Sequence, residues 1–237
     1  MKILVVNDDS VSAPGIAVLA QAASHFGEVT VVAPSEQCSA LSQKLTLRES
    51  MVLKRYGDFP VPVSEAWELS GTPVDCVKVA LCHVMKDRPD WVLSGINNGY
   101  NAGFDIAYSG TLGAAFEASR AGIPAIAFSI AGDKHLPAVE PYLTEVLGEV
   151  LFEHPGRDHV WNVNFPALLT RPSRGILRDR TAAQVSMYHE EYLEERMPDG
   201  SSVLTCHGIP TPDDEIDEGS DAAAVRAGYI SIGKVRR

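Results

Sequence analysis

Two adjacent acids, Asp8 and Asp9, follow the apolar run Ile3-Leu4-Val5-Val6 with only Asn7 between. Consecutive side chains inside a strand point to opposite faces, but where the chain turns at a strand end both carboxylates can reach one point. Two such charges repel each other unless a cation or a proton lies between them. Carboxylate oxygens suit Mg2+, Mn2+ or Ca2+ rather than zinc. Ser39 follows the run Val29 to Ala33, and Asn97 follows Trp91 to Ser94, so each adds a neutral oxygen at a neighbouring strand end. Asp8, Asp9, Ser39 and Asn97 together make a candidate metal shell, with Asp8 and Asp9 catalytic through the metal. The competing use of the pair is plainer: one Asp capping the next helix.

A second set of residues suits an anion. The stretch Gly95-Ile96-Asn97-Asn98-Gly99-Tyr100-Asn101-Ala102-Gly103 spaces its glycines by four, which lets backbone amides turn toward a ligand. It is neither a dinucleotide fingerprint nor an ATP-binding loop. Tyr108-Ser109-Gly110-Thr111 then opens a helix, and a helix start with two hydroxyls and a glycine is a ready anion site. Ser109, Gly110 and Thr111, with Asn101 behind them, are the candidate phosphate contacts, and simple helix capping is the alternative. A metal and an anion on one edge suggest phosphate-ester hydrolysis by metal-activated water. The histidines fit turns, helices and surface loops. Only His135, beside Lys134, falls after a strand on the relevant edge, and there a surface loop is the expected setting. There is no Ser-His-Asp order and no nucleophile elbow.

The elements that must carry these residues alternate. Strands are expected at 3–6, 29–33, 91–94, 123–129, 160–164 and 229–232. Helices are expected from Ser12, as cap, to Gly27, from Thr72 to Met85, from Thr111 to Ala121, from Pro137 to Phe152 and from Asp221 to Ala227. Such an order gives an α/β fold, a Rossmann-like doubly wound and mostly parallel sheet with right-handed crossovers. Its ligands bind outside the carboxyl ends of the strands. Residues 180–215 break the rhythm with Glu190, Glu191, Glu194, Glu195 and a Pro198-Asp199-Gly200 turn, which reads as a protruding hairpin or arm in one otherwise single domain.

Over 237 residues, 31 acids stand against 20 lysines and arginines, for a net charge of −11. A nucleic-acid groove needs a basic face, so that class of partner is excluded. No run approaches the ~20 apolar residues of a membrane span. Four cysteines without a CxxC pair fit reduced thiols in a cytoplasmic protein.

The ordered set of motifs resembles the SurE family of survival proteins, which are metal-dependent 5′(3′)-nucleotidases. It comprises Lys2 to Gly15, Val31-Val32-Ala33-Pro34 leading to Ser39, and Gly71-Thr72-Pro73-Val74-Asp75-Cys76-Val77. Ser94 to Asn101, Tyr108-Ser109-Gly110-Thr111 and Gly228-Tyr229-Ile230-Ser231-Ile232 complete it. The resemblance implies that Asp8, Asp9, Ser39 and Asn97 hold one divalent cation per subunit. It further implies nucleoside monophosphates as substrates, 5′ and also 3′, with short polyphosphate as a further one. A cytoplasmic homodimer or homotetramer is implied as well. Ser10 and Ala40 stand where the family usually has glycine. Two other readings compete: a receiver-like signalling domain, which also opens on an acidic pair, and a non-catalytic nucleotide-binding module. The receiver reading lacks a phosphoacceptor, because Asp58 follows Arg55-Tyr56-Gly57 and not a buried strand.

Overall fold

A computed structural model describes residues 1–168 and 172–236. Its main sheet has nine strands: β1 (Lys2–Val6), β2 (Glu28–Pro34), β3 (Leu53–Arg55), β4 (Glu65–Leu69), β5 (Trp91–Asn98), β6 (Ala125–Ile130), β7 (His159–Phe165), β8 (Ile176–Leu177) and β11 (Ile230–Arg236). Their order is β3-β4-β2-β1-β5-β6-β7-β11-β8. From β4 to β7 all neighbours are parallel, whereas β3 and β11 run antiparallel to β4 and β7. The chain winds outward from β1 to β2 and β4, then resumes on the other side with β5, β6 and β7. The reversal therefore lies between β1 and β5, and a crevice opens outside their carboxyl ends.

The inner strands are apolar on both faces because helices cover both. One face buries Ile3, Val5, Leu93 and Phe128 under α1 (Pro14–Ala23) and α4 (Leu136–Val150). The other buries Leu4, Val6, Val92 and Ala127 under α2 (Pro73–Val79) and α3 (Gly110–Arg120). Among the described residues no helix is long and apolar enough to cross a membrane.

The helix starts are capped by side chains except at α1 and α4, where proline in the first turn marks the start instead. Thr72 and Asp75 form the reciprocal capping box expected of Thr-Pro-Val-Asp, and a π-helical turn over Ala80–Val84 extends α2. Ser12 does not cap α1. Ala13 occupies that position, and the Ser12 hydroxyl meets Ser10 Oγ at 3.1 Å, leaving Pro14 as the start signal. The expected loop at 95–103 is shorter than its glycines suggest. Gly95 to Asn98 continue β5 past an irregularity in its pairing with β6, with Asn97 opposite Ser129 and Asn98 opposite Ile130.

The break in alternation is a two-stranded antiparallel hairpin, β9 (Tyr188–Arg196) and β10 (Ser202–Pro210), exposed along its whole length. It is narrower than 180–215. Ala183 and Met187, before it, pack with Ala102 and with Ala222 and Val225 of α5 (Asp221–Arg226).

Candidate metal and phosphate site

Beyond Val6 the chain turns sharply. Asn7 Nδ2 donates to Ser10 O at 2.7 Å, and Ser10 takes a left-handed φ of 96°. Ala40 also sits at positive φ, 56°. Glycine adopts such angles without a Cβ penalty, so serine and alanine at these two turns carry a strain that glycine would not. The turn is tied to the chain beyond β2, where Val11 N donates to Pro34 O at 2.8 Å and Cys38 N donates to Asp8 O at 2.7 Å. Those bonds bring Ser39, exposed and next to Cys38, to the same corner as the acids.

Asp8 is almost fully buried and Asp9 half-buried. Thr111 Oγ1 donates to Asp8 Oδ1 at 2.6 Å. A Cβ on Gly110 would stand 2.9 Å from Asp8 Cβ and 3.0 Å from Oδ2, so only glycine lets the first turn of α3 come this close. Asp9 turns toward β5, where Asn98 N donates to its Oδ2 at 2.9 Å. Gln37 Nε2 lies 3.4 Å from its Oδ1. Burial, opposed by the Thr111 hydrogen bond and reinforced by the Asp9 charge, holds the Asp8 carboxyl up at about 6. A cation between the two carboxylates would remove that penalty.

The donor chemistry fits a hard divalent cation. Among the described residues no three His, Cys, Asp or Glu side chains converge. Only two carboxylates with neutral oxygens are on offer, the set that Mg2+ completes with water. Asn97 Nδ2 donates to Gly99 O at 2.8 Å. A carbonyl only accepts, so the nitrogen must face Gly99, and Asn97 Oδ1 is left as the oxygen for a ligand.

The expected phosphate contacts are arranged differently. Ser109 Oγ caps α3 by accepting from Leu112 N at 3.1 Å, and the Thr111 hydroxyl is spent on Asp8. The Thr111 hydroxyl therefore gives its proton to Asp8, whereas the Ser109 oxygen only accepts and its proton can still be donated. The Gly110 amide, which helix geometry leaves without an intrahelical partner, remains as a donor beside the acids, whereas the Thr111 amide is directed at the Asp8 carboxylate. Asn101 is buried, and its amide nitrogen donates to Ser129 Oγ at 2.8 Å.

His135 is not in a surface loop. It is buried, its Nδ1 accepts from Leu168 N at 3.1 Å, and burial followed by the Lys134 charge lowers its pKa. Lys134 is exposed. Sequence reasoning passed over the partners of Asp9. Asn98 also pairs with Asp133, Nδ2 to Asp133 Oδ2 at 3.2 Å and Asp133 N to Asn98 Oδ1 at 3.1 Å. It passed over Asn162 and Asn164 as well, whose signal was two amides in an otherwise apolar strand.

Comparison with known proteins shows the family. The family model described as survival protein SurE matches residues 3–190. A 5′-nucleotidase SurE of Aeromonas hydrophila is 36% identical over 236 residues, covering 98% of this chain and 90% of its own. A 5′/3′-nucleotidase SurE of Cronobacter sakazakii is 36% identical over 236 residues, covering 98% and 88%. The crystal structure of a SurE protein from Aquifex aeolicus superposes with a TM-score of 0.83 at 33% identity, covering 100% of this chain and 93% of that one. A match over most of the chain, in both sequence and fold, makes it a member of the SurE family.

Proposed function

We propose that this chain is a divalent-metal-dependent phosphomonoesterase that converts nucleoside 5′-monophosphates to nucleoside and phosphate. Nucleoside 3′-monophosphates and short polyphosphate are further substrates. The observation that carries the reading is the Thr111–Asp8 hydrogen bond, which joins a carboxylate pair to the first turn of an eleven-residue helix. The names of the relatives, 5′-nucleotidase and 5′/3′-nucleotidase, support the same activity.

Asp8, Asp9, Ser39 and Asn97 would hold one Mg2+ or Mn2+ per subunit, with Ca2+ a third candidate. When bound, the cation supplies Lewis acidity at a phosphoryl oxygen and lowers the pKa of a water. The chain does the rest. Thr111 fixes the orientation of the Asp8 carboxylate that would help hold the cation. Asn98 N and Gln37 fix Asp9 in the same way. The Gly110 amide, at the positive end of α3, orients the phosphate and stabilises charge on its oxygens. Both aspartates are committed as ligands, so water is the attacking group. Four unpaired cysteines fit the reducing cytoplasm, and the exposed hairpin fits a homodimer or homotetramer.

The test is phosphate release from nucleoside 5′- and 3′-monophosphates, with and without EDTA, for the parent and for Asp9→Asn. Losing a ligand charge costs several kcal/mol of transition-state stabilisation, so the variant should retain about 1% of parental turnover or less. Full activity in the variant, or turnover indifferent to EDTA, overturns the metal reading. A parent that binds nucleotide without turnover supports the binding module instead.

A further inference from the structure

A strand buried on both faces is normally a continuous apolar run. β7 reads His159-Val160-Trp161-Asn162-Val163-Asn164-Phe165 and is interrupted by two amides. Asn162 and Asn164 are two residues apart and share a face. Both are buried, Asn164 with no exposed surface at all. Their partner is the backbone of Asn101: Asn101 N donates to Asn164 Oδ1 at 3.0 Å, and Asn101 O accepts from Asn164 Nδ2 at 3.1 Å and from Asn162 Nδ2 at 2.9 Å. The backbone groups have fixed polarity, so the orientation of the Asn164 amide is fixed with them. The cluster is not the cheapest filling for a core. Among the described residues, Asn162 Oδ1, Ser94 Oγ on β5 and Ser231 Oγ on β11 are buried without a partner. Buried unpaired polar atoms cost stability, and valine in both positions would avoid the cost.

The clamped residue sits in a short connection held at three points. Gly99 N donates to Ile130 O at 2.9 Å, Asn101 is gripped by β7, and Gly103 N donates to the Asp221 carboxylate at 3.2 Å. On one side Gly99 O holds the Asn97 amide, and on the other a 3-10 turn over Gly103–Tyr108 leads into the cap of α3. We infer that Asn164 is a positioning residue for the hydrolysis proposed above: by gripping both backbone groups of Asn101 it sets where Asn97 Oδ1 stands relative to Asp8 and Asp9. Asn162 supports the same grip from the neighbouring position. The inference rests on that reading of the site.

Asn164→Leu keeps the side-chain size and removes both hydrogen bonds. A displacement of about 1 Å at a reacting centre lowers turnover about a hundredfold, so kcat should fall at least about tenfold. KM should stay within about threefold, because the phosphate donors remain. Amide hydrogen exchange at 99–103 should accelerate while β1 and β2 keep their protection. A purely structural Asn164 would lower Tm and leave kcat per folded molecule unchanged, and that outcome overturns the inference alone. A parent without metal-dependent turnover overturns the hydrolase reading and this inference with it. Should Asn164→Leu not fold, Asn164→Ala asks the same question without a bulky apolar group in the polar cluster. Ser129→Ala removes only the side-chain bond of Asn101 and keeps the backbone grip, so its kcat should remain near the parent's. A loss in Ser129→Ala equal to that in the Asn164 variant would shift the role from the backbone clamp to the Asn101 side chain and overturn the assignment.

Discussion

The hydroxyl of Thr111 stands 2.6 Å from Asp8 Oδ1, so a change at Thr111 acts first on the carboxylate. A hydrogen bond to a charged group contributes about 1.5–3 kcal/mol. Thr111→Val should therefore weaken metal binding, read by calorimetry, by roughly ten- to a hundredfold, with kcat/KM falling in step. Unchanged metal affinity with turnover lost would return Thr111 to the phosphate. Sequence alone favours the phosphate, because a hydroxyl at a helix start looks like an anion donor until its neighbour is known. That neighbour is 103 residues away. Other features are legible from types alone. Asp8 and Asp9 end an apolar run, and Ser39 and Asn97 follow two more, so a parallel sheet must gather them on one edge. The left-handed backbone angles at Ser10 and Ala40, which glycine would take without strain, are not legible from the residue types.

Asp221 shows how elements are tied together. Its carboxylate accepts from Gly103 N, from Ala183 N at 3.0 Å and from Ala222 N at 2.8 Å, joining the chain after β5, the root of the hairpin and α5. Asp221→Ala strands these amides in a buried place. At about 1–3 kcal/mol for a stranded donor, the stability loss should reach at least about 2 kcal/mol by urea denaturation. Burial, the larger influence, holds the Asp221 carboxyl above its ordinary range, and the backbone donors pull it partly back. A folded pKa above the unfolded one means that the ionisation-linked stability is complete at acidic pH. It is lost as pH rises through the folded value. Asp221→Asn keeps an acceptor oxygen and cannot ionise, so its stability should lack that decline; a parallel decline in parent and variant would place the titration elsewhere. None of this is legible from the sequence, where Asp221 is one more acid at a helix start. The Thr72–Asp75 box was legible, because both partners lie within one helical turn.

The strand and helix order of the whole molecule follows from alternating apolar runs, and so does the edge that carries the site. The antiparallel course of β11 does not, since its apolar pattern is the same in either direction. The hairpin is legible as an excursion, and its exposed faces suggest a use. Tyr188, Tyr192 and Leu204 share one face through the strand register, and Leu193, Val203 and Ile209 share the other, all exposed. A lone two-stranded hairpin is marginal in water, so a partner surface would stabilise it. Replacing residues 189–209 with a tight turn should lower the mass seen by light scattering and leave metal binding intact; an unchanged mass excludes the hairpin from assembly. One feature of the whole reaches into kinetics. Asp9 meets Asn98 across 89 residues and Asp8 meets Thr111 across 103. Contacts of such separation close large loops before they return any energy, and they form late. The central sheet must therefore assemble before the proposed cation could find a home, so such an ion would act as a latch on the finished molecule, slowing its opening without hastening its construction.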